Sequence, residues 1–372
     1  MSTLYIGLMS GTSLDGADGV LVEFEPGDGS TLRVLAHDHE PFDGGLRAEL
    51  LALNTSGPDE LHRASLAANA LARLYARVVQ RLRPAAGERP IRAVGAHGQT
   101  VRHRPREFDG TGYTLQLHQP ALLAELTGLD VVADLRSRDV AAGGQGAPLV
   151  PAFHRAIFGR PGEALAVLNL GGIANLTLIG ADGRTIGFDC GPANVLLDAW
   201  CERHLGKSFD EGGQWAASGR VVPDLLARLR GEPYFASPPP KSTGRDLFDG
   251  AWLDARLAEH GRAERPEDVQ ATLAELTAAS VAADLGRHAS DARQLLVCGG
   301  GARNRHLMRR LGSLLPGVRV EATDVRGLPA TQVEAAAFAW LARAFVEGRA
   351  GNLPEVTGAR GPRRLGALYP AG

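Results

Sequence analysis

Short apolar runs alternate along the chain with turns rich in glycine and polar residues, a spacing typical of alternating strands and helices. Residues 5–24 have apolar ends around a turn of Gly, Ser, Thr and Asp, which predicts a strand, a tight turn and a second strand. Residues 32–37 predict a third strand. A short helix is expected at 46–53, and the polar start signal around Pro58 predicts a longer, amphipathic one.

The later runs predict further pairs of strands and helices. Strands are expected at 91–96, 113–117, 130–133, 165–170, 176–179, 185–188, 295–297 and 318–321. Helices are expected at 121–127, from Pro192 to Trp200, from Asn304 onward and at 332–345. This order of elements is typical of the α/β class.

The strand–turn–strand pattern of 5–24 returns at 165–179, and helix–strand units follow each copy. A length of 372 residues also favours two domains over a single core. We therefore predict two α/β domains, each on a mixed sheet opened by a hairpin, with a nucleotide in the cleft between them. The predicted bounds are 1–133, completed by about 345–372, and 134–344. The segment 134–151 is expected to be either a flexible linker or a hinge loop that contacts a ligand.

The first turn has the chemistry of an anion site. Gly11 and Gly16 allow the backbone to fold so that successive N–H groups face one anion. Hydroxyl donors are available from Ser10, Thr12 and Ser13. Asp15 and Asp18 would repel a bare phosphate, but they suit a divalent cation that bridges them to phosphate oxygens, directly or through water. The alternative is an ordinary hairpin whose aspartates bond their own backbone.

Two further glycine-rich turns, at 171–175 and 299–302, also follow apolar strands. Three such turns in a chain of two similar halves favour a nucleotide held between domains. Asp189 stands at the end of a predicted strand. If Gly191 is the N-cap and Pro192 the first helical residue, Asp189 is free to act as a general base. A turn carboxylate is the alternative.

Composition excludes several classes of function. Forty basic and 42 acidic residues give a net charge of −2, which provides no field for nucleic acid or an anionic membrane. Three cysteines form no complete disulfide set and show no metal-ligand spacing. The chain lacks a Walker lysine motif and a dinucleotide-binding glycine motif. We expect a soluble cytoplasmic protein without a signal segment.

Several motifs together are similar to those of the anhydro-N-acetylmuramic acid kinase family, within the superfamily of sugar kinases, actin and heat-shock chaperone ATPases. The motifs lie at 7–18, 97–100, 131–136, 143–151, 169–175, 187–192, 241–244 and 298–302. The resemblance covers nearly the whole chain. It implies a two-domain actin-like or sugar-kinase fold, a duplicated ribonuclease H-like unit.

The resemblance implies an enzyme that uses ATP, Mg²⁺ and water to convert 1,6-anhydro-N-acetylmuramic acid to N-acetylmuramic acid 6-phosphate in cell-wall recycling. Its catalytic residue is then Asp189, which activates water for attack at C1, and Asp15 and Asp18 hold the metal, possibly through water. Nucleotide contacts are expected at Gly11, Thr12, Ser13, Leu14, Asp15, Gly16, Ala17, Asp18, Gly171, Gly172, Asn175, Gly299, Gly300 and Gly301. Substrate contacts are expected at His97, Gln99, Thr100, Arg136, Gln145 and Glu334.

Some roles stay open at this point. Glu334 also suits a first-turn acid that favours its helix dipole, and Lys241–Arg245 suits either a phosphate contact or a capped helix start. The family implies a homodimer. The rival functions are an ordinary sugar kinase, in which Asp189 deprotonates a hydroxyl, and an actin-like or chaperone-like ATPase switch.

Overall fold

The computed structural model describes residues 2–11, 13–27, 31–244 and 247–372. The chain divides into two units. Unit 1 consists of Met1–Phe158 and Gln332–Gly372, and unit 2 consists of Gly159–Thr331. The expected α/β class is confirmed, since each unit combines a mixed sheet with helices. The predicted nucleotide cleft stays a prediction.

The predicted pattern of strands and helices is largely confirmed. The strands are β1 Thr3–Met9, β2 Gly16–Phe24, β3 Leu32–Pro41, β4 Ile91–Ala96, β5 Gln99–Pro105, β6 Gly112–Leu117, β7 Val131–Ala133, β8 Leu165–Leu170, β9 Ile173–Ile179, β10 Thr185–Pro192, β11 Gln294–Cys298, β12 Arg319–Ala322 and β13 Ala367–Tyr369. The helices are α1 Gly44–Ala52, α2 Glu60–Leu82, α3 Pro120–Thr127, α4 Ser137–Ala141, α5 Val150–Phe158, α6 Asn194–Leu205, α7 Gln214–Ser218, α8 Pro223–Arg230, α9 Gly250–His260, α10 Pro266–His288, α11 Arg305–Leu314, α12 Val333–Val346 and α13 Pro354–Thr357.

The sheet of unit 1 has the order β3-β2-β1-β4-β7-β13. The antiparallel hairpin β1–β2 sets Met9 opposite Asp18, and β4 lies parallel to β1 on its other side. Alternate residues of β1, including Leu4, Ile6 and Leu8, enter a core completed by α2 and α3. This register places the β1–β2 turn beside the end of β4.

The sheet of unit 2 has the order β10-β9-β8-β11-β12. Its first three strands form an antiparallel meander, and β11 and β12 add on in parallel. Apart from β13, this is the order of the unit 1 sheet, so the predicted duplication is confirmed at the level of topology. A second core of unit 2 lies between α10 and the helices α6, α8 and α9. Of these helices, the sequence patterns predicted only α6.

The bounds of the units differ from the predicted ones because long-range packing decides them. The helix α12 belongs to unit 1, where it packs on β1 and β4. Gly7 and Gly95 allow this close approach, because a Cβ at either position would collide with the carbonyl oxygen of Ala335 or Phe338. The segment 134–151 lies within unit 1, so it is not a linker between the units.

Two local predictions were wrong. Pro192 ends β10 rather than starting a helix, and the residue before α6 is Ala193, without a side-chain cap. Asn175 lies inside β9, because the β8–β9 turn is only two residues long. In addition, residues from Gln99 onward form the first strand of the hairpin β5–β6, which the sequence patterns did not predict. Among the helices of the described residues, none has the length and apolarity to cross a bilayer.

Candidate active site

The β1–β2 turn in unit 1 is built from polar side chains. The Leu14 N–H donates to the Gly11 carbonyl at 3.3 Å, and Leu14 adopts a positive φ of 56° with its side chain buried. The Ser13 hydroxyl donates to Asp15 Oδ1 at 2.7 Å. Both Ser13 and Asp15 are exposed. Thr12, expected to contact nucleotide, lies outside the described residues.

Ser10 is not available as a phosphate donor, contrary to the expectation. Its hydroxyl is buried, donates to the Gly98 carbonyl at 3.1 Å and lies 2.9 Å from the Tyr75 hydroxyl. Nearby, the Gln99 amide donates to the Gly11 carbonyl at 3.2 Å. Within the described part of the chain nothing bonds the buried Gln99 Oε1. The first turn and the end of β4 therefore form one polar site, with an acceptor left for a ligand.

Asp18, the second carboxylate of the motif, lies on β2 just after the turn and is partly exposed. His37 Nε2 and His39 Nδ1 of β3 both lie 3.2 Å from Asp18 Oδ1. Ala17 faces the core, and the His39 ring packs against Gly16. Any nucleotide contact of these two residues must therefore use their backbone.

Asp15 and Asp18 have the oxygen donors that Mg²⁺ prefers. In the described ranges no group of three or more His, Cys, Asp and Glu side chains is placed to hold a metal ion. A magnesium ion here would thus need water and phosphate oxygens to complete its shell, the usual arrangement in phosphoryl-transfer sites. The two carboxylates fit that role.

Of the predicted substrate residues in unit 1, His97 and Arg136 contact each other directly. The guanidinium donates from Nε and Nη2 to His97 Nε2 at 3.1 and 2.9 Å, and from Nη1 to the Gly146 carbonyl at 2.8 Å. Burial and the Arg136 charge lower the pKa of His97 to about 3, so this imidazole is a neutral acceptor. Thr100 lies further along β5, where its hydroxyl accepts from the Gln116 amide at 3.2 Å.

Glu334 opens α12 and belongs to the same charged group. Its pKa is raised to about 6, chiefly by burial and then by the Asp18 carboxylate, with a smaller rise from Asp15, and the Arg136 charge opposes the rise. Burial also lowers the pKa of Arg136, to about 10, against the effect of Glu334 and Asp139. At neutral pH Arg136 is charged and Glu334 is largely ionised, so unit 1 holds a partly buried cation that contacts His97.

The loop that carries Gln145 is fixed by a buried carboxylate that sequence reasoning missed. Asp139 accepts from the Gly146 N–H at 2.8 Å, the Asn352 amide at 2.6 Å and the Thr357 hydroxyl at 2.8 Å. The Gln145 N–H donates to the Thr357 carbonyl at 2.7 Å. The carboxyl-terminal segment thus holds this loop in place, with the Gln145 side chain half-buried.

In unit 2 the second and third glycine turns lie side by side. The pairing of β8 with β11 sets Asn169 opposite Cys298, so the turns that follow these strands are neighbours. Gly171 and Gly172 accept at their carbonyls from the first N–H groups at the start of α6. The Gly299 φ of +81° suits glycine, and its N–H donates to the Ala330 carbonyl at 2.9 Å.

Some of these glycines are not required by the fold. A Cβ on Gly171 or Gly172 would meet only ordinary contacts at 3.7 Å or more, and one on Gly300 would meet nothing within 4 Å. Gly301 differs, because a Cβ there would lie 2.6 Å from the Leu170 Cβ. Bare backbone at positions with free space is what close approach to a ligand needs.

Asp189 lies on β10 opposite Asn175, next to a β-bulge. Its Oδ2 accepts from the Ser242 hydroxyl and the Thr243 N–H, both at 3.0 Å. Burial raises the pKa of Asp189, while the Thr243 and Ser242 hydrogen bonds and the Lys241 charge oppose that rise. A half-buried carboxylate with a raised pKa is suited to accept a proton.

Sequence reasoning left the role of 241–245 open, and the structure excludes the helix start. Residues 241–244 form no helix, and the next helix, α9, begins at Gly250 with Asp249 as its cap. Arg245 lies outside the described residues. The signal for Ser242 and Thr243 was their place in a motif after three prolines, which does not reveal that they contact Asp189.

Comparisons with known proteins agree with these motifs. The family model described as anhydro-N-acetylmuramic acid kinase matches residues 3–371. A protein of that name from Variovorax paradoxus is 62% identical over 99% of both chains, and one from Albidiferax ferrireducens is 58% identical over 100% of both. Among solved structures, an activator of 2-hydroxyisocaproyl-CoA dehydratase from Clostridium difficile has a TM-score of 0.44 and 15% identity, and covers 93% of this chain and 98% of its own. That last likeness is too distant to carry an argument. The full-length match and the high identities establish that the chain belongs to the anhydro-N-acetylmuramic acid kinase family.

Proposed function

We propose that this enzyme opens 1,6-anhydro-N-acetylmuramic acid with water and transfers the γ-phosphoryl group of ATP to O6. The products are N-acetylmuramic acid 6-phosphate and ADP. The substrate is the one in the names of the relatives. The observation that carries the proposal is Asp189, a half-buried carboxylate with two donors on one oxygen and a raised pKa.

The anhydro sugar explains why a base is needed although O6 carries no proton. O6 is bound to C1 as an ether, so Asp189 takes its proton from water. The water oxygen forms a bond to C1, the C1–O6 bond breaks, and O6 attacks the γ-phosphorus while ADP leaves. The water proton passes to Asp189 and then to solvent, which balances the reaction.

The other residues bind and orient the two substrates. In unit 1, Arg136 is the half-buried cation for the sugar's carboxylate or hydroxyl groups, and His97 and Gln99 supply uncharged polar contacts. In unit 2, backbone at Gly171, Gly172 and Gly300 contacts the phosphates. Mg²⁺, held by Asp15 and Asp18, would neutralise phosphate charge. These assignments rest on the contacts within each unit.

Three finer assignments follow from the family alone. The enzyme works as a homodimer, it works in the cytoplasm, and its reaction belongs to recycling of cell-wall fragments. Gel filtration with light scattering tests the first, and fractionation of cells tests the second.

Reaction in ¹⁸O-water tests the chemistry. The anhydro sugar, ATP and enzyme are mixed, and the product is analysed promptly by mass spectrometry, before the anomeric oxygen exchanges with solvent. The expected product carries ¹⁸O at C1 and none in the phosphate ester. A phosphorylated sugar that keeps its 1,6 bridge, with no label, would instead assign an ordinary sugar kinase reaction and overturn the proposal.

A further inference from the structure

Residues 237–244, which follow the short turn Pro233–Ala236, run alongside the Asp189 backbone. The Asp189 N–H donates to the Lys241 carbonyl at 3.1 Å, and the Tyr234 hydroxyl donates to the Asp189 carbonyl at 2.8 Å. The backbone of Asp189 is therefore held from both sides by Tyr234 and Lys241, 45 and 52 positions further along the chain.

The same segment orients the carboxylate. Ser242 and Thr243 both donate to Oδ2, and in the described part of the chain Oδ1 receives no hydrogen bond. Two donors on one oxygen fix the plane of the carboxylate and leave the other oxygen for a water molecule. A base must lie within hydrogen-bond reach of the proton it removes, so this orientation bears directly on its efficiency.

A buried ion pair anchors the segment. Lys241 Nζ lies 3.1 Å from Asp284 Oδ2 on α10, and the two side chains are 4% and 3% exposed. The ammonium also lies over the Tyr234 ring, 5.1 Å from its centre. Asp284 has a second, weaker partner in Arg287 at 3.5 Å. Since a buried charge without its partner is costly, this pair sets where the 241–243 backbone lies.

We propose that Lys241, Ser242 and Thr243 form a positioning arm for the general base: the Lys241–Asp284 pair fixes the arm, and the arm aims Asp189 Oδ1 at the attacking water. This inference rests on the proposed role of Asp189. It assigns positioning residues to the reaction and gives the motif at 241–244 a function other than contact with phosphate.

The arm also affects the charge state of the base. Among the described residues, the titratable groups around Asp189 are Lys241, Tyr234, Cys190 and Asp284, and of these only Lys241 favours its ionised form. Because both arm donors lower the pKa of Asp189, loss of one raises it. The base works in its deprotonated form. The acidic limb of the plot of kcat against pH therefore moves to higher pH when a donor is lost.

Ser242→Ala is the main test. We expect kcat to fall by about 10- to 100-fold, the order expected for loss of a hydrogen bond to a charged group. The acidic limb of the plot of kcat against pH should move to higher pH, and the KM for ATP should change little. Ser242→Thr should restore kcat and return the acidic limb to its wild-type position. The matched control is Ser237→Ala, whose hydroxyl donates to the Pro233 carbonyl in the same segment. If Ser242→Ala has a normal kcat and its acidic limb is not shifted, the proposed positioning role of the arm is wrong.

The anchor is tested by the double variant Lys241→Met/Asp284→Asn, which removes both buried charges together. A folded double variant should show the same fall in kcat and the same shift of the limb, with the KM for ATP little changed. A folded variant with wild-type kcat would show that the pair has only a structural role. If the variant fails to fold in thermal melts, Ser242→Ala and its Thr rescue decide the proposal.

Asp189→Asn, assayed in parallel, separates this inference from the proposed function. If Asp189→Asn keeps normal turnover, the general base itself is wrong, and the arm falls with it. If Asp189→Asn is inactive while Ser242→Ala is normal, the base stands and only the arm is wrong.

Discussion

The two sheets share one strand order, but their turns offer different chemistry. In unit 1 the β1–β2 turn and the start of β5, just after β4, present polar side chains, namely Ser13, Asp15 and Gln99. In unit 2 the corresponding turns, after β8 and β11, present glycine backbone. One topology therefore carries two kinds of chemistry: carboxylates and amides that suit a metal and a polar sugar, and glycine backbone with free space that suits the close approach of phosphate.

The two units differ most clearly at Asp189. It stands on β10, the edge strand of the unit 2 sheet, and the corresponding strand of unit 1 is β3. There the histidines His37 and His39 approach Asp18, and no equivalent of the 241–243 arm appears among the described residues. Asp189, the proposed general base, is thus an addition to unit 2, not a feature of the shared topology.

Asp189→Asn should give the largest effect. The amide keeps the shape and an acceptor oxygen but cannot take a proton from water, so we expect kcat to fall by about 10²- to 10⁴-fold. Binding of ATP and of the anhydro sugar, measured by calorimetry, should persist. Asp291→Asn, the same change at an exposed carboxylate of unit 2, is the control. Near-normal turnover in Asp189→Asn would return this residue to a turn role.

The acidic side chains of unit 1 can be tested with Asp15→Asn and Asp18→Asn. If they hold Mg²⁺, kcat/KM for ATP should fall by about 10²-fold, because charge neutralisation by the metal is lost. Excess Mg²⁺ should restore part of the rate. Stability should change little, since Asp15 lies in a turn that tolerates Asn and Asp18 is partly exposed on β2.

The control for these variants is Asp43→Asn in unit 1, where Asn remains a good N-cap for α1. A lower melting temperature with normal activity per folded molecule would show that the two carboxylates are structural.

The sequence predicted what local patterning decides, and it missed what long-range packing decides. Both hairpins followed from apolar strands around glycine turns, and Asp189 followed from its place at a strand end. The bonds from Ser242 to Asp189 and from Asn352 to Asp139 join residues 53 and 213 positions apart. Nothing in the local pattern indicates such pairs, nor that α12 packs on the sheet of unit 1.

The glycine backbone of unit 2 can be tested with Gly172→Ala and Gly300→Ala. Each added methyl has room, so stability should stay the same or rise by up to about 1 kcal/mol. The KM for ATP should rise by about 10-fold, since the methyl would occupy the space of a phosphate oxygen, at a cost of about 1.4 kcal/mol.

The matched control is Gly299→Ala. There the positive φ and the crowding by Leu170 and Asn169 should lower stability first. An unchanged KM for ATP in Gly172→Ala and Gly300→Ala would contradict the phosphate role.

The smallest effect should appear in the pH dependence of stability, which also distinguishes the units. The histidines whose pKa is lowered to about 3 or 4 are His97, His103, His118 and His154, and all lie in unit 1. A histidine whose folded pKa is depressed takes up its proton first in the unfolded chain. Its stabilising contribution is therefore present above the unfolded pKa, near 6.5, and is lost as pH falls toward the folded value.

His118 is the best position to test this effect, because burial alone lowers its pKa to about 3 and its ring packs edge-on against Tyr75. His118→Phe keeps a ring there and removes the titration. Between pH 6 and pH 4 the free energy of unfolding of the variant should fall less steeply than that of the wild type, by up to about 1.4 kcal/mol per pH unit. Urea melts at a series of pH values measure the slope. His62→Phe, at an exposed histidine of α2, should leave the slope unchanged. Equal slopes for wild type and His118→Phe would mean that His118 is protonated in the folded protein as readily as in the unfolded chain, and that acid does not act on unit 1 through this residue.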